Sequence, residues 1–367
     1  MVKICTRCVM DDSDITFDED GVCNHCHKYD AYRKPGNYID LDNKIQRIKE
    51  EGRNKEWDCV AGLSGGTDSS FTLHLIKEMG LRPLVVHLDN GWNTEESLAN
   101  IHAMHDKVVM LKVKPELFRR VQLAFLRGGT PDIEVPTDHA IWATLMWIAE
   151  LVEIRTIVTG VNHATESHLP GAWGRGHRDW RYIKSITHAD MSGRLNVVGQ
   201  SEEDLLKYID TFPHYGIVKR ALMPFTFRWL SPLDYIDYNK EEATRTLEKL
   251  YDWKRYGGKH HESVFTRFLQ CYILPRKFGI DKRRSHLSSL ICSGQMTRDA
   301  ALAELQRPPY PEDLLEQDKK VVLEKLQLSE REFDLIMRTK PRTFNDYPSY
   351  EKSLWFKVGR SIWRMIR

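Results

Sequence analysis

The chain has 367 residues, of which 41% are hydrophobic, and its formal net charge is +2. This length suggests one large domain with additions, or two domains, with enough apolar residues for a sizeable core. The balanced charge does not indicate a nucleic-acid-binding protein, and no apolar run is long enough to span a membrane. The N-terminus lacks the apolar core of a signal peptide, so we expect a cytoplasmic protein whose seven cysteines are thiols or metal ligands.

The N-terminal segment contains two C-x-x-C pairs separated by a short loop. Their members are Cys5, Cys8, Cys23 and Cys26. Two such knuckles are typical of a structural zinc site, because each pair can supply one edge of a tetrahedron. A redox-active pair is the alternative, and His25 or His27 could replace one cysteine. Four thiolates leave no open coordination position, so we predict structural Zn²⁺ here.

The most informative stretch lies between an apolar run and a helical pattern. Its sequence is Leu63-Ser64-Gly65-Gly66-Thr67-Asp68-Ser69-Ser70. A strand, a glycine turn and a helix N-terminus together form an anion site, since backbone N–H groups and the helix dipole face the ligand. The loop contains neither G-x-x-x-x-G-K-[ST] nor G-x-G-x-x-G. A serine-rich helix cap is the alternative, but the context predicts a phosphate site.

From Trp57 onwards the apolar pattern alternates between strands and helices. The predicted strands are Cys59–Leu63, Leu84–Leu88, Val108–Leu111 and Thr156–Val161, and the predicted helices are Ser69–Met79, Glu95–His105, Glu116–Arg127 and Asp138–Val152. This alternation is typical of an α/β fold in which helices cover both faces of a parallel sheet.

Polar residues follow two further predicted strands. His87, Asp89 and Asn90 follow the second strand, and Gly160 and Asn162 follow the last. Ligands of parallel sheets bind at the carboxyl ends of the strands, so these residues are candidates for the same site. An ordinary Asn-Gly turn and a polar loop are the alternatives.

Residues 169–185 are rich in glycine, tryptophan, arginine and histidine. This composition fits a mobile lid over an acidic, sugar-bearing or phosphate-bearing substrate, with a plain surface loop as the alternative.

The C-terminal third is predicted to be largely helical, and it carries clusters of basic residues. A capping box, Ser329 to Glu332, indicates the start of one helix. The tail, 341–367, mixes apolar and basic residues as an amphipathic helix does. Such a helix can lie on a membrane surface, on a partner or on its own domain.

The loop resembles the PP-loop of the ATP pyrophosphatase superfamily, and longer blocks narrow the resemblance. These blocks are Cys-Thr-Arg-Cys-Val-Met at the N-terminus, Gly-Leu-Ser-Gly-Gly-Thr-Asp-Ser-Ser, Gly-Gly-Lys-His-His-Glu-Ser-Val-Phe-Thr-Arg-Phe-Leu-Gln, and Asp-Lys-Arg-Arg-Ser-His-Leu-Ser-Ser-Leu-Ile-Cys-Ser-Gly-Gln-Met-Thr-Arg-Asp. Together they resemble the N-acetyl sugar amidotransferase family of the WbpG/PseA/LegA type. The resemblance covers most of residues 1–305.

The residue patterns and the resemblance together predict a domain organisation. Its parts are a zinc-binding module (1–30), a connector (31–56), an adenine-nucleotide α-hydrolase-like PP-loop domain (57–235), a helical region that completes the active site (236–340) and the tail.

The resemblance also implies roles for the candidate residues. Residues Leu63 to Ser70 would hold the pyrophosphate of ATP, with Asp68 facing Mg²⁺. His87, Asp89 and Asn90 would contact the adenosine, and Gly160 and Asn162 would line the AMP site. Lys259, Lys282 and Arg283 are the candidate cations for pyrophosphate. A solvated charge run is the alternative for each of these three.

The implied reaction converts an acetamido group of a UDP-linked, possibly acidic, sugar to an acetamidino group for bacterial lipopolysaccharide (O-antigen) or nonulosonate synthesis. Residue 2 is Val, and there is no Gly-x-Cys-x-Gly elbow. We therefore expect ammonia from a separate glutaminase with a cyclase-like subunit, and no nucleic-acid partner. A PP-loop tRNA-modifying enzyme of the thiolase or lysidine type is the alternative. A thiolase would require a cysteine pair, for which Cys271 and Cys292 remain, although buried thiols are the commoner case. A nucleotide-sensing adaptor is the non-enzymatic alternative.

Overall fold

The computed structural model describes residues 3–11, 15–32, 36–195, 201–353 and 356. The chain forms two compact units that are interleaved along the sequence. The sheet unit comprises Met1–Leu111, Leu145–Gly171 and Phe227–Val322, and the helical unit comprises Lys112–Thr144, Ala172–Thr226 and Leu323–Arg367. The segments predicted as 57–235 and 236–340 each contribute to both units. Of the predicted tail, 354–355 and 357–367 lie outside the described residues.

The sheet unit is built on five strands. They are β1 (Cys59–Gly62), β2 (Pro83–Asp89), β3 (Val108–Lys112), β4 (Thr156–Val158) and β5 (Arg228–Leu230), in the order β3-β2-β1-β4-β5. The pairings β1–β2, β1–β4 and β4–β5 are parallel. The α/β class with a parallel sheet is therefore confirmed.

The register brings the carboxyl ends of the strands to one edge of the sheet. Gly62 pairs with Val86 on one side of β1, and Ala61 pairs with Val158 on the other. The chain runs through β1, β2 and β3 on one side before it places β4 and β5 on the other. The strand order therefore reverses between β1 and β4, the position at which ligands of such sheets commonly bind.

Four of the five strands were predicted to within a few residues. β1 reads as a continuous apolar run because it is covered on both faces, and Cys59, Val60 and Ala61 are all buried. β5 was not predicted, since no strand was expected after Val161. A strand of three residues, Arg-Trp-Leu, has no periodicity to reveal it.

The helices connect and cover these strands. The α-helices are α1 (Asn24–Tyr32), α2 (Tyr38–Gly52), α3 (Thr67–Glu78), α4 (Glu95–Met104), α5 (Pro115–Gly128), α6 (Val135–Leu151), α7 (His163–Glu166), α8 (Trp180–Leu195), α9 (Glu202–Ile209), α10 (Ile217–Thr226), α11 (Lys240–Tyr251), α12 (Val264–Phe268), α13 (Arg283–Cys292), α14 (Arg298–Leu305), α15 (Glu312–Leu326) and α16 (Glu330–Arg338). A π-helix spans Leu269–Phe278, and 3₁₀ turns span Pro232–Tyr235, Phe344–Asp346 and Tyr350–Lys352.

The start of α16 confirms the predicted capping box. Ser329 Oγ accepts a hydrogen bond from Glu332 N at 3.3 Å, and Glu332 Oε2 accepts one from Ser329 N at 3.0 Å. Two backbone donors of the first turn are thereby satisfied.

The expectation of a mobile lid over residues 169–185 is wrong for its aromatic residues. Trp173, Trp180 and Tyr182 are buried, and α8 begins at Trp180. The Trp180 ring stacks on Phe212 with a centroid distance of 6.2 Å. Large aromatic side chains gain more by packing in the core of the helical unit than they would in a solvated loop.

A histidine of the helical unit lies between two carboxylates. His177 Nε2 is 2.7 Å from Asp132 Oδ2, and its Nδ1 is 2.8 Å from Asp138 Oδ2. Burial alone would lower the pKa of His177, but the two carboxylates outweigh it and raise the pKa well above 6.5.

This arrangement predicts a pH dependence of stability. At a pH below the ordinary histidine pKa, His177 is protonated in the folded and unfolded chains, and its ion pairs contribute fully. As the pH rises towards the raised folded pKa, the unfolded chain releases the proton first and the contribution is lost. The difference in unfolding free energy between the wild type and His177→Gln should therefore shrink above about pH 6.5. Denaturant titrations at a series of pH values measure it, and a difference that does not change with pH would contradict the interpretation.

None of the helices in the described part of the chain is both long and apolar enough to cross a bilayer.

Candidate active site

The glycine turn after β1 brings the backbone closer to α4 than any other residue type would allow. Gly65 has φ +81°, and a Cβ placed on it would lie 2.4 Å from the Ser97 carbonyl oxygen. Gly66 is similarly confined, since its Cβ would lie 3.0 Å from the hydroxyl of Tyr256. The backbone conformation that leads from β1 into α3 therefore requires glycine in this turn.

The hydroxyl groups of the turn divide into two sets. Ser64 is exposed and its Oγ lies 3.0 Å from Ser69 Oγ, while Ser69 Oγ also accepts a hydrogen bond from Ser64 N at 3.1 Å. Ser70 is fully buried and accepts a hydrogen bond from Trp253 Nε1 at 3.2 Å. Ser64 and Ser69 are therefore placed for a ligand, whereas Ser70 holds α3 in place.

A tyrosine that the sequence analysis did not single out completes the turn. Thr67 N donates a hydrogen bond to the Tyr256 hydroxyl at 3.2 Å. Burial, with Glu262 nearby, raises the pKa of Tyr256 well above 10, so its oxygen stays protonated. The phenol thus satisfies one of the first N–H groups of α3, a group that an anion would otherwise use.

Asp68 and Lys259 meet at the N-terminus of α3. Lys259 Nζ lies 3.7 Å from Asp68 Oδ2 and 2.9 Å from Glu166 Oε1, and it donates to Thr165 Oγ1 at 3.0 Å. The side chain of Lys259 is only 11% exposed. Tyr238 donates its hydroxyl hydrogen to the other oxygen of Asp68.

Both members of this pair remain charged. Burial by itself would lower the pKa of Lys259, but Glu166 and Asp68 outweigh it and raise that pKa. Burial by itself would raise the pKa of Asp68, but the positive charges of Lys259 and, to a smaller extent, Lys240 outweigh it and lower that pKa. Lys259 therefore supplies the positive charge that the loop lacks in its own sequence.

Lys240 is a second cation of the same cluster. It begins α11, and burial lowers its pKa despite the attraction of Asp68. His286 Nδ1 lies 3.3 Å from the Thr165 carbonyl oxygen, and burial, with Lys259 and Lys240, lowers the pKa of His286 well below 6.5. A neutral imidazole fits a site whose positive charge already comes from two lysines.

Of the three candidate cations, Lys259 is the one that lies against the loop. Arg283 instead forms an ion pair with Asp281 at 2.7 Å and donates to the carbonyl oxygens of Glu304 and Arg307, at the end of α14. Lys282 is the N-cap residue of α13. The contacts of Arg283 are those of a structural residue.

The polar residues after β2 organise their own turn. His87 Nδ1–H donates to the Leu63 carbonyl oxygen at 2.7 Å, and its Nε2 accepts from Asn93 Nδ2 at 2.9 Å. Asp89 accepts from Gly91 N at 2.9 Å, and Asn90 accepts from Trp92 N at 3.2 Å. These bonds hold the ends of β1 and β2 together. The contacts of His87, Asp89 and Asn90 with adenosine stay a prediction.

The segment after β4 packs directly against the loop. A Cβ on Gly160 would lie 2.7 Å from Ser69 N, so only glycine allows this approach. Asn162 is buried, and its Oδ1 accepts from Thr165 N at 2.9 Å as the N-cap of α7. Gly160 and Asn162 thereby place Thr165 beside Asp68 and Lys259.

The four cysteines of the N-terminal module come together as predicted. Cys5, Cys8, Cys23 and Cys26 are all fully buried, and their sulfur atoms lie within 4.8 Å of one another. Zn²⁺ with four sulfur ligands about 2.3 Å away has edges of about 3.8 Å. The Cys8–Cys23 and Cys23–Cys26 sulfur distances are both 3.7 Å, so the set fits Zn²⁺.

The structure brings to the site several residues that the sequence analysis did not select. They are Tyr238, Lys240, Tyr256, Thr165, Glu166 and His286. Tyr256 and Lys259 belong to the same short stretch, Tyr-Gly-Gly-Lys, so the proximity of the tyrosine to a candidate cation is visible in the sequence. Tyr238 and Lys240 carried none, because each is a single polar residue beside a helix start.

Three comparisons with known proteins found similar sequences or structures. The profile of the LPS biosynthesis protein WbpG-like C-terminal domain matches residues 262–362. An uncharacterized protein of Methanocaldococcus jannaschii is 22% identical over 326 residues, which cover 86% of this chain and 96% of that protein. The crystal structure of NAD+ synthetase from Burkholderia pseudomallei aligns with 15% identity and a TM-score of 0.27, covering 55% of this chain and 96% of that chain.

The profile match includes one of the blocks on which the sequence resemblance depended, since Asp281 to Asp299 lies within it. Lys259 precedes the matched segment by three residues and contacts the loop after β1. Residues 262–362 are therefore similar to the C-terminal domain of the WbpG-like proteins of lipopolysaccharide biosynthesis.

Proposed function

We propose that this chain is an ATP-dependent amidotransferase that converts the acetamido group of a UDP-linked N-acetyl sugar to an acetamidino group. The observation that carries the proposal is the position of Lys259. This buried cation lies beside Asp68 at the N-terminus of a helix that follows a Ser-Gly-Gly turn. A leaving pyrophosphate needs such a combination of backbone donors and fixed positive charge.

The proposed reaction has two steps. The acetamido oxygen attacks the α-phosphorus of ATP, the bond to the β-phosphate oxygen breaks, and pyrophosphate leaves. Ammonia then attacks the carbon of the resulting O-adenylyl imidate, and AMP leaves with the original acetamido oxygen. The ammonia nitrogen keeps at least one hydrogen in the amidine, and the protons that are released pass to the solvent. No side-chain nucleophile is required.

The residues of the loop have distinct parts in this scheme. The hydroxyls of exposed Ser64 and half-buried Ser69 and the N–H groups of the turn would bind the β- and γ-phosphates. Lys259 and Lys240 would neutralise the charge that develops on them. Mg²⁺, bound with the triphosphate, would supply further positive charge, with Asp68 as its protein ligand. A phosphate oxygen of bound ATP would replace the Tyr256 hydroxyl as the acceptor of the hydrogen bond from Thr67 N.

We further propose that a separate glutaminase, with its cyclase-like subunit, supplies the ammonia. Ammonium salts should then support the reaction of this chain alone, and glutamine should not. Activity of the purified chain with glutamine, in the absence of ammonium, would contradict this part of the proposal.

Isotope transfer tests the reaction directly. The full chain is incubated with ATP, Mg²⁺, ammonium and UDP-diacetamido sugars or their uronic acids, labelled with heavy oxygen in the acetamido group. We expect the mass of the sugar to change as one oxygen is replaced by NH, and the label to appear in AMP. Label that stays in the sugar, or AMP formed without the sugar, would overturn the proposed chemistry.

The same assay with tRNA in place of the sugar tests the alternative. A thiolase would use two neighbouring cysteines, but Cys271 Sγ lies 3.7 Å from His261 Nε2, whereas Cys292 Sγ lies 3.7 Å from Cys26 Sγ. Pyrophosphate release that depends on tRNA would support the alternative.

A further inference from the structure

We propose that the N-terminal cysteine module is half of a two-zinc centre, and that Cys26, His168 and Cys292 bind the second ion with Cys26 as the shared ligand. The proposal adds two ligands that lie far from the C-x-x-C pairs in the sequence. His168 follows α7, and Cys292 is the last residue of α13. All three belong to the sheet unit.

The distances are those of a second coordination tetrahedron. Cys26 Sγ lies 3.7 Å from Cys292 Sγ, and His168 Nε2 lies 3.5 Å from Cys292 Sγ and 3.8 Å from Cys26 Sγ. Zinc bond lengths of about 2.3 Å to sulfur and 2.0–2.1 Å to nitrogen give edges of about 3.8 Å between sulfurs and about 3.6 Å between sulfur and nitrogen. Cys26 also belongs to the first set, with its sulfur 3.9 Å from that of Cys5.

The orientation of His168 is that of a metal ligand. Its Nδ1 lies 3.2 Å from Ser289 Oγ, and Ser289 donates its own hydroxyl hydrogen to the Ser285 carbonyl oxygen at 3.0 Å. Ser167 Oγ lies 2.9 Å from the same nitrogen. When either hydroxyl oxygen accepts the hydrogen of Nδ1, the lone pair of Nε2 is directed at the two sulfur atoms. Histidines that bind metals are held by their other nitrogen in this way.

Charge favours the second ion. Four thiolates around one Zn²⁺ leave a buried centre with a net negative charge, and burying such a charge is costly. A second Zn²⁺ with one further thiolate, Cys292, reduces that negative charge. Cys26 and His168 are fully buried and Cys292 is 7% exposed, so the added ligands are as sheltered as the first four.

The second ion would anchor the segment that holds the active-site lysine. Thr165, which accepts from Lys259, lies three residues before His168. Ser289 of α13 also contacts His168, and His286 of the same helix reaches Thr165. Three protein ligands leave one coordination position for a water molecule.

Metal content of the full chain tests the proposal. Elemental analysis should find two zinc ions per chain in the wild type and one in Cys292→Ser. Cys271→Ser is the matched control, because Cys271 is also a buried thiol 3.7 Å from a histidine nitrogen, and it should retain both ions. One ion per wild-type chain, or two in Cys292→Ser, would overturn the proposal.

A titration of the metal-free wild type with Co²⁺ keeps the test independent of the variants. Absorption from thiolate-to-cobalt charge transfer should rise to an end point at two equivalents. An end point at one equivalent would overturn the proposal, even if Cys292→Ser fails to fold. Iron with acid-labile sulfide in the purified protein would also overturn it.

Discussion

Replacing Lys259 with methionine should lower the rate of ATP-dependent pyrophosphate release by about 10²–10³-fold. The expected loss follows from the position of this ammonium group, which is buried beside Asp68 and held by Thr165 and Glu166. A fixed cation stabilises the leaving pyrophosphate without reorganisation, whereas methionine offers a similar length and no charge. Steady-state pyrophosphate release with saturating ATP measures the effect.

Lys282→Met is the matched control for this prediction. It makes the same substitution at the N-cap of α13, in the basic stretch that the sequence could not distinguish from Lys259. We expect a rate within a few-fold of the wild type. The assignment would be reversed if Lys282→Met lost the activity and Lys259→Met kept it. A Lys259→Arg variant should retain more activity than Lys259→Met, because it keeps the charge.

Replacing Gly65 with alanine should destabilise the chain by about 2–5 kcal/mol, the sum of a positive-φ cost of about 1–2 kcal/mol and an overpacking cost of about 1–3 kcal/mol. Gly65 has φ +81°, and the new methyl group would lie 2.4 Å from the Ser97 carbonyl oxygen. Because that oxygen is backbone, α4 or the loop must move. The free energy of unfolding measures the cost, and binding of ATP should fall with it.

Gly91→Ala separates the two contributions. Gly91 has φ +83°, but a Cβ there would have nothing within 4 Å. Its substitution should therefore cost only the positive-φ term, about 1–2 kcal/mol. Equal losses in the two variants would show that the close approach of Gly65 to Ser97 contributes nothing to stability.

The parts of the site that are local in sequence could be predicted, and the parts that depend on distant contacts could not. The order strand, Ser-Gly-Gly, helix is contained in one short stretch, and the C-x-x-C pairs carry their own spacing. Lys259 was one of three basic candidates because charge alone does not say which side chain turns inward. The structure separates them, since Arg283 is occupied by Asp281 and two carbonyl oxygens.

Residues with structural roles were the hardest to distinguish from ligand contacts. His87 and Asn162 have the polar chemistry of binding residues, yet one joins two strand ends and the other caps α7. Cys292 was predicted to be a buried thiol, and its burial is confirmed. Its neighbours in the structure, Cys26 and His168, are more than 100 positions away in the sequence. No local pattern reveals such a contact.

The strand order has a consequence for the chain while it is being made. β1 is central in the finished sheet, but its second neighbour, β4, begins only at Thr156. At about 5–20 residues per second, a ribosome needs roughly 5–20 s to proceed from the end of β1 to that point. Throughout this interval β1 is an edge strand whose open backbone groups could pair with another chain. Nascent or stalled chains that end before Thr156 are therefore expected to depend on chaperones, although the same strand is fully protected in the folded protein.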